Sequence, residues 1–180
     1  MINLKEFQNK NILSIDQSLV CSGISIYFNN EIITTTIEPK KIKGVERLIF
    51  IREKIKELLK KYNVSLIIME GYSFGSRGRA VFDLGELGGM IKILGKDLNI
   101  PVITLAPGTH KKFTTGKGNT KKDMMLLEVY KKYNIELNND NVADSVSLLK
   151  TILGYIDYCN EKKGFVKYEL EVFTTLGKDD

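Results

Sequence analysis

Apolar positions along the chain change period several times, and each change marks an element. Asn11–Ser18 (NILSIDQS) is a short apolar run that ends in polar residues and predicts a buried strand. Ser22–Asn29 (SGISIYFN) predicts a second, and the pair Asn29-Asn30 a tight turn into a third, Glu31–Ile37, where Thr34, Thr35 and Thr36 favour extended backbone. Pro39 closes this antiparallel meander. The period then becomes helical: Leu48, Ile51, Ile55, Leu58 and Tyr62 line one side of a helix from about Val45 to Tyr62, with Lys and Glu on the other. Val64–Met69 is a continuous apolar run, as in a strand buried on both faces, and Glu70 stands at its end. Gly71–Gly78 reads as a loop. A second helix, Ala80–Leu98, is weakened by Gly85, Gly88 and Gly89 but open to close approach by another element. Pro101–Ala106 predicts a fifth strand, Pro107–Asn119 a basic loop, and two further helices run from about Thr120 to Tyr133 and from Asp140 to Tyr158. In the final stretch, Val166–Phe173 alternates and fits either an edge strand or a short helix. The order β-β-β-α-β-α-β-α-α predicts an α/β fold, a mixed five-stranded sheet with helices on both faces.

A length of 180 residues suits one domain with a real core. Residues 1–160 form the expected domain, with 161–180 as an extension of it or a tail. No stretch is apolar enough to span a bilayer, and Met1–Lys10 lacks the apolar run of a signal peptide. The expected location is the cytoplasm, with no membrane partner. Cys21 and Cys159 are far apart and neither belongs to a CxxC pair, which argues against a zinc ribbon or a redox couple. They read as inert thiols in a reducing compartment. The net charge of +5 admits an anionic partner without demanding one. Its distribution is more informative, since Thr109–Lys122 carries Lys111, Lys112, Lys117, Lys121 and Lys122 and no acid.

Three carboxylates occupy unusual places. Asp16 ends the first strand inside an apolar segment, Glu70 ends the fourth, and Asp144 lies in the first turns of the last helix. Each has an ordinary structural reading by itself: a turn-former, a strand-end residue, an acid favoured by a helix dipole. Strand ends in such a sheet lie close together, however, and like charges brought together raise one another's pKa unless a cation intervenes. Mg²⁺ prefers carboxylate oxygen and water, so three converging acids favour a metal site. His110 reads as a surface loop residue rather than a ligand.

These residues resemble the RuvC-like Holliday junction resolvases of the RNase H-like class, and among them the shorter phage-type members. Ile12–Gly23 (ILSIDQSLVCSG) is similar to the first motif of that family, Ile67–Gly75 (IIMEGYSFG) to the second, Lys111–Lys122 (KKFTTGKGNTKK) to its basic segment, and Asn141–Asp144 (NVAD) to its last acidic motif. The resemblance runs from about Asn11 to Tyr158. It implies an RNase H-like fold and a crossover junction endodeoxyribonuclease that leaves 5′-phosphate ends. It further implies two Mg²⁺ ions, with Mn²⁺ as substitute, held by Asp16, Glu70, Asp144 and a fourth residue. That fourth position is usually Asp or His. Here it is Asn141, with Asp140 beside it, and both spacings share a helix face with Asp144. Either can complete the set, and Asp140 can instead cap the helix.

The same resemblance assigns Lys111 and Lys122 to functional basic positions, Lys122 among the catalytic group. Lys112, Lys117 and Lys121, together with Arg77 and Arg79, are expected to add phosphate contacts. Gly116 and Gly118 would let backbone approach a phosphate. Tyr72 and Phe74 suit either base stacking at a branch point or local packing. The implied partners are branched DNA, above all four-way junctions, and a second copy of the chain across the glycine-marked helix. A bacterial cytoplasm with a phage or prophage gene is the implied setting. Rival readings are a general branched-DNA or flap nuclease, and a junction-binding protein with impaired catalysis in which Asn141 is the cause. An actin-like ATPase would need a second domain and phosphate loop. A transposase-type enzyme would more typically end its site with Glu.

Overall fold

The computed structural model describes residues 2–72 and 79–177. A 3-10 turn over Leu4–Phe7 leads into β1 (Ile12–Asp16), β2 (Ser22–Phe28) and β3 (Glu31–Ile37). There follow α1 (Gly44–Lys61), β4 (Leu66–Glu70), α2 (Arg79–Asp97) and β5 (Val102–Leu105). The remainder is helical: α3 (Pro107–Thr115), α4 (Lys122–Tyr133), α5 (Asp140–Cys159) and α6 (Lys167–Leu176). The sheet has five strands in the order β3-β2-β1-β4-β5. The first three pair antiparallel, while β4 runs parallel to both β1 and β5. Asn29 and Asn30 both take positive φ, 52° and 66°, which makes the β2–β3 link a two-residue turn of the primed kind.

Side chains alternate across the sheet and feed two cores. Leu13, Ile15, Ile24, Ile26, Ile67 and Met69 pack under α1 and α2. Ile12, Leu66 and Ile68 face α5, with Phe113 of α3 and Val172 and Phe173 of α6 completing that layer. Every one of these strand side chains is fully buried, worth about 1.5–3 kcal/mol apiece in area removed from water. The alternation places Ser14 and Asp16 of β1, and Glu70 of β4, on the α5 side.

On that side α5 approaches the sheet closely because the contact residues are small. Ser14 Oγ donates to the Ser145 carbonyl at 2.7 Å, and the Ser25 and Ser145 hydroxyls lie 2.6 Å apart. Gly23 makes the closest approach: a Cβ there would collide with the Asn141 carbonyl and stand 2.6 Å from the Val142 nitrogen. Asn139 caps the helix by accepting from the Val142 N–H at 3.1 Å. The cap is therefore not Asp140, which sits one residue inside.

Two expectations change. Pro107–Asn119 is not a loop, because Pro107–Thr115 is helical. Proline sits at the helix start, where its missing N–H costs nothing, and Gly116 takes the left-handed position (φ 79°) that ends it. The alternating segment near the end is helix α6, whose buried Val172 and Phe173 pack against α5 and α3. Gly23→Ala is expected to lower the unfolding free energy by ~1–3 kcal/mol, the usual range for overpacking, since the atoms met are backbone and cannot turn aside. Urea denaturation measures it, and an unchanged midpoint would show that α5 does not need this close seat.

Candidate active site

The strand register brings the first two acids together. β1 and β4 pair in parallel up to Ile15 with Met69, and one residue further Asp16 and Glu70 end the two strands side by side on the same face. Asp16 is buried and Glu70 nearly so, with 18% of its side chain exposed. Asp144 is also buried, on the turn of α5 that rests over β1 and β2. Burial pushes the Glu70 carboxyl up, but the His110 hydrogen bond and charge outweigh it, aided by a hydrogen bond with Asp16 and the nearby Lys111 charge. The net effect holds Glu70 below the ordinary carboxylate range.

His110 belongs to this group, contrary to the expectation of a surface loop position. It lies on α3, fully buried. Its Nε2 is 2.9 Å from Glu70 Oε1 and its Nδ1 is 2.9 Å from Ser147 Oγ. Thr114 Oγ1 stands 2.7 Å from the same Ser147 oxygen. A signal for this existed in the sequence. His110, Phe113 and Thr114 recur at helical spacing between Pro107 and Gly116, and all three are buried. Gln17, also missed, donates from Nε2 to the Glu70 carbonyl at 3.2 Å and so ties the chain after β1 to the end of β4.

The helix also sorts the lysines. Lys111 lines a cleft of about 190 Å³ together with Gln17, Glu70 and Tyr72. Lys112 turns the other way and pairs with Glu171 of α6 at 2.7 Å. Lys117 and Lys121 are exposed in the turn between α3 and α4. Tyr72 is 42% exposed; its hydroxyl donates to the Gly85 carbonyl at 3.4 Å and lies over Gly88. Asn141 donates from its amide to the Cys21 carbonyl at 2.6 Å, clamping the β1–β2 turn, and Asp140 Oδ1 accepts from the Asn141 N–H at 3.1 Å. Phe74 and Arg77 lie outside the described residues, as do the side chains of Arg79 at the start of α2 and Lys122 at the start of α4.

Among the described residues, no three acidic, histidine or cysteine side chains stand close enough to cage a metal ion. The Asp16–Glu70 pair nevertheless fits a hard divalent cation, because Mg²⁺ commonly takes one or two carboxylates and completes its shell with water and substrate phosphate. A cavity of about 330 Å³ towards the other end of α5 is lined by Lys132, Lys150 and Tyr133 and by none of these acids. The acidic chemistry therefore belongs to the smaller cleft.

A profile of the family described as "Crossover junction endodeoxyribonuclease RuvC" matches residues 12–151. The chain belongs to the RuvC family. The matched span includes Asp16, Glu70, His110, Lys111 and Asp144, and stops before α6. The RuvC of Chloroherpeton thalassium is 24% identical over 133 residues, covering 74% of this chain and 72% of the relative. Among solved structures, Thermus thermophilus RuvC is similar with a TM-score of 0.67 and 14% identity, over 87% of this chain and 99% of that one. The same protein in complex with Holliday junction substrate gives 0.69 and 15%, over 85% and 96%. The RNase H-like fold expected from the sequence is thereby established for this RuvC-family chain.

Asp16→Asn is expected to leave the stability of the metal-free protein little changed, because an amide N–H can replace the hydrogen bond that Asp16 makes with Glu70. Thermal melting in EDTA measures this. A clearly lower melting temperature would mean that the amide does not replace that bond.

Proposed function

We propose that this RuvC-family chain is a metal-dependent endonuclease that resolves four-way DNA junctions by paired nicks. The observation that carries the reading is the Asp16–Glu70 carboxylate pair at adjacent strand ends, of which Glu70 opens on a cleft that Lys111 shares. Mg²⁺, or Mn²⁺ in its place, would be held by Asp16, Glu70 and Asp144 with Asn141 or Asp140, as two ions when DNA is bound. A cation so bound polarises a phosphoryl oxygen and eases deprotonation of water.

The chain's own groups do the rest. Lys111, close enough to lower the Glu70 pKa, offsets negative charge that develops on the reacting phosphate. Lys117 and Lys121 are exposed and would meet the DNA backbone, and Lys122, Arg77 and Arg79 are proposed as further phosphate contacts. Lys112, held by Glu171, takes a lesser part. Tyr72 packs on α2 while keeping an exposed edge toward the cleft, where it would stack on a splayed base; Phe74 is proposed for the same role. The setting is the cytoplasm of a bacterial host, where the gene belongs to a phage or prophage.

A second copy of the chain completes a resolvase, because two opposed strands must be cut. The outer face of α2 suits this role. Phe82 and Ile93 are 75% and 61% exposed there, and a methyl group added at Gly85 or Gly89 would meet no other atom. That surface offers both apolar area and room for close helix approach. Phe82→Asp should convert a sedimenting dimer to monomer at micromolar concentration. A monomeric wild type would remove this part of the proposal.

The deciding experiment is cleavage of a synthetic four-way junction, with duplex and flap controls, in Mg²⁺ and in EDTA. Symmetric nicks that require metal and are lost in Asp16→Asn are expected. Equal cutting of flaps would point to a general branched-DNA nuclease, and tight binding without cleavage to a junction-binding protein. Lys111→Ala should slow cleavage about 100-fold with little loss of binding. Lys117→Ala with Lys121→Ala should weaken binding and reduce the slope of log affinity against log salt by about 2. A slope that does not change would place these lysines off the DNA.

A further inference from the structure

His110 is fully buried and held by two polar partners from two different elements. We propose that it is a positioning residue: its Nε2–H fixes the Glu70 carboxylate in the orientation that binds the cation, and Ser147 fixes the ring. This rests on the nuclease reading above and adds a residue to its machinery.

The donor assignment follows from the partners. An ionised carboxylate only accepts, so the ring nitrogen 2.9 Å from Glu70 Oε1 must carry a proton. Ser147 Oγ satisfies the other nitrogen in either state of the ring. With a neutral ring it donates to Nδ1 and accepts from Thr114 Oγ1, 2.7 Å away. With a charged ring it accepts from Nδ1 and donates to the His110 carbonyl at 3.0 Å. Nε2 therefore donates to Glu70 in both. A ring engaged at both nitrogens is not itself available as a metal ligand.

The connection has a geometric consequence. Ser147 lies three residues after Asp144, hence on the same side of α5. His110 thus braces the carboxylate at the end of β4 against the helix that carries Asp144, and the separation of those two acids no longer depends on the rotamer of Glu70 alone. Glu has three rotatable bonds, and without such a brace the Glu70 carboxylate would sample other rotamers. Groups that hold a metal-binding carboxylate from behind typically contribute about 10- to 100-fold to metal affinity or activity.

His110 is the chain's single histidine, so a protein labelled with ¹⁵N-histidine gives one imidazole spectrum with no assignment to make. The expected spectrum shows a protonated Nε2 that keeps its proton when Mg²⁺ is added at saturating concentration. Loss of that proton would make His110 a direct ligand and overturn the proposal. In parallel, Mn²⁺ affinity by electron paramagnetic resonance and single-turnover cleavage would be measured for His110→Ala and His110→Gln. His110→Ala should lose about 10- to 100-fold in both, with unchanged junction affinity in EDTA. His110→Gln, which keeps an N–H donor, should recover part of the loss. Should His110→Ala fail to fold, Ser147→Ala removes only the rear anchor and should still weaken Mn²⁺ binding several-fold. Folded variants with wild-type Mn²⁺ affinity overturn the positioning role alone. A wild type that binds no Mn²⁺ overturns the nuclease reading with it.

Discussion

The site depends on how closely α5 sits on the sheet. A helix packed on a sheet is ordinarily held off by a layer of side chains, and an acid on its inner face would then be shielded from acids at the strand ends. Here Gly23 leaves no Cβ between β2 and the first turn of α5, and Ser14, Ser25 and Ser145 replace apolar bulk with hydrogen bonds. Serine hydroxyls buried in this way must find partners or cost about 1–3 kcal/mol each. Their mutual pairing therefore fixes the helix in register as well as in distance. The same short separation that satisfies the serines seats the turn of α5 that carries the buried Asp144 over β1 and β2.

That seating creates an electrostatic problem and the surrounding residues set its sign. Two adjacent carboxylates, if both were ionised, would repel by ~4 kcal/mol at 4 Å and an effective dielectric of about 20, against ~1 kcal/mol in bulk water. Burial alone would keep one of them protonated. Instead His110, with the Asp16 hydrogen bond and Lys111, brings Glu70 below its ordinary range, so that it is ionised at neutral pH. The contribution of Glu70 to stability is accordingly present above its unfolded value near 4.5 and is lost as pH falls through the lowered folded value.

Much of the fold was legible because local chemistry and global topology agree. The hairpin at Asn29-Asn30, the helical stripe from Leu48 to Tyr62 and the apolar run before Glu70 each state their element outright. Asp16 and Glu70 could be singled out because a charge at the end of an apolar run is unusual. What sequence reading missed was α3. Its lysines suggested a solvated loop, although Pro107 and Gly116 mark the start and stop of a helix. Once the segment is helical, successive side chains diverge by about 100°, and so Lys111 joins the cleft while Lys112 meets Glu171. The His110 network was beyond reach for a different reason: its partners, Glu70 and Ser147, are 40 and 37 residues away, and only the parallel pairing of β4 with β5 followed by α3 brings them together.

A polyanionic substrate and an acidic site are in conflict unless positive charge is distributed between them. The chain places that charge at two depths. Lys117 and Lys121 stand exposed, where each acts through water and is screened within about 8 Å at physiological salt. They suit attraction of any DNA backbone and carry little information about its shape. Lys111 stands inside the cleft beside Glu70, where screening is weaker and its charge would bear on a phosphate bound there. A carboxylate pair that leaves part of a cation's coordination to the substrate extends the same division. Its affinity for a metal would then rise when a phosphate oxygen arrives, and by reciprocity the metal would favour DNA placed so that a phosphate reaches the cleft. Selection among DNA shapes can therefore act at the step that assembles the site, without any base being read.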